Sequence, residues 1–256
     1  MLEDELVHGL ETDPEPKNIY IVEGEYVRTI RRKMDARSVP YTMMDEYCLR
    51  TSMDLDRDAF NVVIIMNPLK LHKEPAKLRD FIQNQLIMLQ GRFDAIAMYY
   101  GLCGDFGWGI TKWAADNIDT PVTVFHDCNG DVCDDCVSVA VGGHKKYCDL
   151  VKEYTGMFFI TPSTATLWNE YPDPDTREWE GFYESSDDYM RDMMSWGGYK
   201  YALRVDTGLG ERDIFEPKAQ EMSAKLGLEL IDPKSPVATC ELADDIYNRS
   251  KSLLKG

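Results

Sequence analysis

The chain has 256 residues, of which 44% are apolar and 11% aromatic, and this is enough to bury the core of one large domain or two small ones. Its 28 Lys and Arg residues against 45 Asp and Glu give a formal charge of −17, which would repel a phosphate backbone, so nucleic acid is not an expected partner. The sequence has no long uncharged apolar run, and its first residues are acidic where a signal peptide needs a basic segment, so we expect a cytoplasmic protein without a membrane partner.

Residues 1–17 lack apolar periodicity and carry two prolines among charged residues, which predicts a flexible acidic leader. From residue 18 onward, apolar runs of strand length alternate with amphipathic stretches of helix length. The predicted strands are 18–23, 40–45, 61–67, 94–100, 121–127, 156–162, 199–206 and 228–231. The predicted helices are 26–37, 75–90, 107–117, 136–154, 164–170, 182–195, 213–226 and 241–254.

This alternation predicts an α/β fold with a mostly parallel sheet and helices on both faces, because continuous apolar strands between helices are buried on both sides. Two similar lobes, over residues 18–155 and 156–256, are one arrangement that fits the pattern, with a cleft at the strand ends. Ligands in such sheets bind at the carboxyl ends of the strands. Four segments with polar or glycine residues fall there: 99–109, 125–136, 160–168 and 204–210.

The tightest group of chemically reactive residues is Cys128, Cys133 and Cys136, spaced C-x4-C-x2-C between a predicted strand and a predicted helix. This spacing is typical of the three-cysteine run of plant-type [2Fe–2S] ferredoxins, and it suits tetrahedral Zn²⁺ equally well. The identity of the metal or cluster stays open, and a redox-active thiol or the absence of a functional role remain alternatives. Without an export signal, the seven cysteines are expected to be reduced.

A fourth ligand could come from Cys103 or from His126. Cys103 lies between glycines at the end of the neighbouring predicted strand, where backbone and cofactor can approach closely. The acidic surroundings count against an anionic cluster, although a helix beginning near Cys136 would favour thiolates there. The aspartates concerned are Asp127, Asp131, Asp134 and Asp135.

Other residues at strand ends are candidates for binding a ligand. Trp108 could flank a flat ligand, or it could belong to the core. Small polar residues that meet a helix start could bind a phosphate or carboxylate, and plain helix capping explains them as well. These residues are Thr161, Ser163, Asp206, Thr207 and Gly208. No pattern typical of a hydrolase or of a nucleotide-binding loop occurs.

Five segments together resemble one known family. They are LKLHKEPAKLRDFIQ (69–83), YYGLCG (99–104), DCVSVAVGGHKKY (135–147), GMFFITPSTATLW (156–168) and YALRVDTG (201–208). The sequence resembles the family catalogued as domain of unknown function 1638, and the likeness covers about residues 18–235. On this matching, the family residues are Cys103, Cys136 and His72. Cys128 and Cys133 lie in what resembles a short insertion, and Glu23 or Gly24 stands where the family has a cysteine.

The resemblance implies a role rather than a reaction. Members are found in anaerobes and methylotrophic methanogens, often beside genes of corrinoid-dependent methyltransferases. The first hypothesis is therefore a metal- or iron–sulfur-binding accessory protein of anaerobic one-carbon metabolism, with a corrinoid protein or a methyltransferase as partner. Two alternatives remain open: a thiolate- or zinc-dependent transferase of methyl groups or other small molecules, and a module that binds a corrinoid or a methyltransferase without chemistry of its own.

Overall fold

The computed structural model describes residues 2–68, 71, 74–101, 108–167 and 182–254. They form two compact units. The terminal unit consists of Leu2–Val124 together with Ala243–Gly256, and the central unit is Phe125–Leu242. This division after residue 124 differs from the predicted lobe boundary at residue 155.

In the terminal unit, the strands are β1 (Lys17–Val22), β2 (Thr42–Met44), β3 (Phe60–Ile64), β4 (Ile96–Ala97) and β5 (Val122–Thr123). The helices of this unit are α1 (Glu3–Thr12), α2 (Arg28–Ala36), α3 (Glu46–Arg50), α4 (Pro75–Leu89) and α5 (Ile110–Asn117). In the central unit, the strands are β6 (Met157–Ile160), β7 (Tyr201–Arg204) and β8 (Glu229–Ile231). Its helices are α6 (Cys136–Val141), α7 (His144–Glu153), α8 (Pro162–Leu167), α9 (Ser186–Trp196) and α10 (Arg212–Lys225), and α11 (Glu241–Leu253) follows.

All strand pairs between these elements are parallel, which confirms the predicted α/β fold with parallel sheets. In the terminal unit, β1 lies between β2 and β3, and β4 pairs with β5. The apolar side chains of β1, such as Ile19 and Ile21, are buried because buried residues of α1 and α2 pack against them on one face of the sheet. The β4–β5 pair is shorter than the predicted strands 94–100 and 121–127.

The first residues form a helix where the sequence indicated a flexible leader. Val7 and Leu10 of α1 are buried in the apolar core of the terminal unit, together with residues of β1 and α2. Lys33 of α2 is buried as well, and its ammonium group lies 2.8 Å from Asp4 and 3.2 Å from Glu3. These ion pairs explain how acidic residues that looked solvent-exposed in the sequence are tolerated inside the unit.

The central unit has a three-stranded sheet in the order β6-β7-β8. Ile160 pairs with Arg204 at the carboxyl ends of β6 and β7, so the two following loops leave the sheet side by side. Buried side chains of α8 and α10, including Ala165 and Phe215, cover the buried residues of these strands. The loops after the three strands therefore lie at one edge of this sheet, which is where parallel sheets usually bind ligands.

The single helix predicted over 136–154 is two helices, α6 and α7. Gly142 ends α6 in the left-handed conformation, with φ of 88°, and Gly143 has φ of 117°. Such angles are readily adopted only by glycine, so this glycine pair breaks the helix. As a result, α7 starts in a new direction at His144.

Candidate functional site

The segment after β5 folds back on itself as a short hairpin. His126 and Val132 form an antiparallel bridge, and the backbone N–H of Cys133 donates to the carbonyl of Phe125 over 3.0 Å. The turn is closed by Asp127, whose Oδ1 accepts hydrogen bonds from the backbone N–H of Asn129 (2.8 Å) and of Asp131 (3.1 Å). The Asp127 carboxylate is thereby fixed inside the turn, and it is itself buried.

This hairpin separates the cysteines that the spacing suggested would act together. Cys128 is exposed near the tip of the turn, whereas Cys133 lies at its base and is fully buried. Cys136 is the first residue of α6 and is also buried. The Sγ atoms of these three residues do not all lie within 4.8 Å of one another, so the described thiols do not form a preassembled three-cysteine metal site.

Cys133 and Cys136 are the two buried thiols of this segment, and a well-defined helix start holds them. Asp135 caps α6: its carboxylate accepts a hydrogen bond from the Ser138 backbone N–H (2.7 Å), while the Ser138 hydroxyl accepts one from the Asp135 N–H (2.9 Å). This reciprocal capping box fixes the direction in which the chain enters α6. Gly143 packs directly against the side chain of Asp127. A Cβ at residue 143 would lie 2.4 Å from Cβ of Asp127, so only glycine fits there.

The electrostatic environment of Cys133 is negative. Burial raises the pKa of the Cys133 thiol to about 12, and the carboxylates of Asp127, Asp134 and Asp135 add to the shift, while a hydrogen bond from Ser138 opposes it. Burial also raises the pKa of Asp135 above its usual range. In the protein alone, Cys133 is therefore a neutral thiol at physiological pH, and thiolate formation there requires a positive charge nearby.

His126, the alternative fourth ligand, is half-buried and holds the hairpin through its backbone bridge to Val132. Cys103 and His72, the other two residues indicated by the family resemblance, lie outside the described residues. The structure therefore leaves the choice between Cys103 and His126 as a prediction.

A second group of interacting side chains, which the sequence did not predict, joins His144 and Cys148 of α7 to Asp134. Nδ1 of His144 is hydrogen-bonded to Asp134, and its Nε2 lies 3.6 Å from Sγ of Cys148. The hydrogen bond with Asp134 raises the pKa of His144, and the charges of Asp131 and Asp127 act in the same direction. The sequence signal for this group was the spacing of His144 and Cys148, which places both on one face of a helix.

The polar residues after β6 cap the next helix. The hydroxyl of Thr164 accepts a hydrogen bond from the Thr161 backbone N–H (2.8 Å), and the Thr161 hydroxyl accepts one from the Thr164 N–H (3.2 Å). Thr161 and Ser163 are both buried. Helix capping therefore accounts for Thr161 at this strand end.

The loop after β7 borders a small cavity of about 200 Å³ in the central unit. Asp206 accepts a hydrogen bond from the Gly208 backbone N–H over 2.9 Å, which forms the turn predicted as an anion site, and Thr207 accepts one from Leu209 over 3.4 Å. The cavity is lined by Arg204, Asp206, Asp232, Pro233, Pro236, Val237 and Ala238. Arg204 lies 2.7 Å from Asp232, so its charge is already paired. The volume is too small for a large cofactor.

Trp108 belongs to the terminal unit and packs edge-on against Trp113, with 5.9 Å between the ring centroids. It is half-buried. This contact is the aromatic packing that the sequence left as the alternative to ligand binding.

A model of the family described as "Protein of unknown function (DUF1638)" matches residues 66–240, which is about two thirds of the chain. No curated protein and no solved structure matches the sequence. Among the helices in the described part of the chain, none is long and apolar enough to cross a membrane.

Proposed function

The chain belongs to this family of unknown function, so its relatives supply no reaction, and we propose from its own residues that it is a metal-binding protein of anaerobic one-carbon metabolism. The proposed ligands among the described residues are the thiols of Cys133, at the base of the hairpin, and Cys136, at the start of α6. The observation that carries the proposal is the burial of two thiols in a segment whose nearby charges are carboxylates.

The surrounding charges favour a divalent cation over an iron–sulfur cluster. A [2Fe–2S] core held by four thiolates is already negative, and the carboxylates of Asp127, Asp134 and Asp135 would repel it. A Zn²⁺ ion held by two thiolates is neutral overall, so these carboxylates would not repel it in this way, and Zn²⁺ accepts thiolate, imidazole and carboxylate ligands. Its charge would favour deprotonation of Cys133 and offset the negative environment, so uptake of Zn²⁺ should release protons.

The role next to corrinoid-dependent methyl transfer is supported by the family resemblance. In this proposal the protein handles a metal for a corrinoid protein or a methyltransferase in the cytoplasm. A transferase that uses a zinc-bound thiolate is the second hypothesis, and the same two cysteines would supply that thiolate. The cavity beside Asp206 would then hold a small polar substrate.

The metal is tested by purifying the full chain without oxygen and measuring metal content and visible absorption. Titration with Zn²⁺ against a chromophoric chelator then gives the affinity, and a pH indicator follows proton release. We expect one Zn²⁺ per chain, at least one proton released per ion, and no cluster absorption. Stoichiometric iron with broad visible absorption would instead establish the iron–sulfur alternative.

Single substitutions assign the ligands. Cys133→Ser and Cys136→Ser should each weaken Zn²⁺ binding at least about tenfold, since loss of one ligand of a tetrahedral site removes a metal–sulfur bond. Cys48→Ser, in the terminal unit, is the matched control and should bind as the natural protein does. Cys128→Ser tests whether the spacing or the hairpin geometry identifies the ligands. The C-x4-C-x2-C spacing makes Cys128 a ligand, whereas the hairpin exposes it, so we expect this variant to bind Zn²⁺ as the natural protein does. Unchanged binding in both the Cys133 and Cys136 variants would reject the proposal.

A further inference from the structure

The side chains of Asp134, His144 and Cys148 form a continuous chain in the central unit. Asp134 is hydrogen-bonded to Nδ1 of His144, and Nε2 of the same imidazole lies 3.6 Å from Sγ of Cys148. His144 and Cys148 are one turn apart on α7, and Asp134 reaches them from the loop before α6. The glycine pair between α6 and α7 allows this approach, because it redirects the chain at His144.

The order of the three side chains distinguishes this hydrogen-bonded group from a metal site. The imidazole is in the middle and uses both ring nitrogens, one towards a carboxylate and the other towards a thiol. The ligand atoms of Asp134, His144 and Cys148 do not all lie within 4.8 Å of one another, as those of a shared ion would. A nucleophile next to a base, with the base oriented by a third group, is the arrangement that activates catalytic cysteines.

We infer that Cys148 is a nucleophilic thiol, with His144 as its base and Asp134 as the residue that orients the imidazole. In the reaction, a bond forms between Sγ of Cys148 and an electrophilic carbon, and the leaving group departs with its electron pair. The thiol proton passes to Nε2 of His144, and the carboxylate of Asp134 stabilises the resulting imidazolium. The site is open to such a reagent, since the side chain of His144 is 52% exposed and Cys148 is half-buried.

The neighbouring charges select the class of substrate. Asp127, Asp131 and Asp134 all act on His144 from the hairpin and the loop that follows it. Their negative potential at His144 disfavours an anionic reagent beside the imidazole and accepts a neutral or cationic one. The inferred substrate is therefore a small carbon electrophile that is uncharged or positively charged.

The test is alkylation of the full-length protein, with every cysteine followed separately by mass spectrometry of its peptide. Iodoacetamide is the neutral probe, and iodoacetate is the anionic probe of similar size. Cys128 is the internal reference for an exposed thiol, and buried Cys133 reports any loss of the fold. At pH 7, Cys148 should react with iodoacetamide at least about tenfold faster than Cys128, as general-base assistance predicts. Its preference for iodoacetamide over iodoacetate should exceed that of a free cysteine.

Two variants test the base and the orienting residue independently. His144→Gln should lower the rate at Cys148 to that of Cys128, and Asp134→Asn should lower it severalfold without altering α7. The rate at Cys128 should not change in either variant, and Cys133 should stay unlabelled. If Cys148 reacts no faster than Cys128, or if both variants leave its rate unchanged while Cys133 stays protected, the inference is wrong. Neither result bears on Zn²⁺ binding by Cys133 and Cys136.

Discussion

Glu5 makes the stability of the protein depend on pH in an unusual direction. It lies on α1, is 5% exposed, and one of its carboxylate oxygens has no hydrogen-bond partner among the described residues. Burial raises the pKa of Glu5 from 4.5 to about 7, and repulsion by Asp4 adds to the shift while Lys33 opposes it. The folded protein therefore binds this proton more tightly than the unfolded chain does.

The size of the effect follows from the two pKa values. Their difference of about 2.5, at about 1.4 kcal/mol for each pKa unit, corresponds to about 3 to 4 kcal/mol. The contribution of neutral Glu5 to stability is fully present below pH 4.5 and is lost as the pH rises through 7. Glu5→Gln keeps the shape of the side chain but cannot ionise. We expect the variant to be more stable than the natural protein by as much as about 3 kcal/mol at pH 8 and nearly equal to it at pH 4.5.

Urea unfolding followed by tryptophan fluorescence, at pH 4.5 and at pH 8, measures this difference. Glu23→Gln is the matched control, because Glu23 is exposed in the same unit and its replacement should change stability little at either pH. A Glu5→Gln variant that gains no stability at pH 8, or a control that gains as much, would refute the reasoning about burial.

Three further substitutions probe the hairpin and the helix start, each by its urea midpoint. Gly143→Ala should destabilise the protein by more than about 2 kcal/mol, since its φ is 117° and the new Cβ would lie 2.4 Å from Cβ of Asp127. Gly130 has a φ of 85° but open space around it, so Gly130→Ala should lower stability by only about 1 kcal/mol, through backbone strain. An equal loss of stability in both glycine variants would contradict the contact between residue 143 and Asp127. Asp135→Ala should cost about 1 kcal/mol because it removes the cap of α6, and an unchanged midpoint would show that the capping box contributes nothing.

The fold class was predictable because it depends on local periodicity. Apolar runs such as those of β1 and β7 are buried on both faces, and this pattern is visible in any window of the sequence. The helix α1 was not predicted, although Val7 and Leu10 have helical spacing, because six of its ten residues are acidic or polar. Only the pairing of Glu3 and Asp4 with Lys33 makes these charges compatible with burial, and that pairing joins residues far apart in sequence.

By itself, the sequence determined the α/β fold, the family, and the concentration of thiols and carboxylates between residues 127 and 136. Only the tertiary structure decided which of these side chains share an environment. The hairpin exposes Cys128 while it buries Cys133, and the break before α7 brings His144 to Asp134. The physical reason is that spacing along the chain fixes the distance between residues only within one regular element. Across a turn or a glycine break, the backbone direction changes, and burial and charge then decide what each side chain can do.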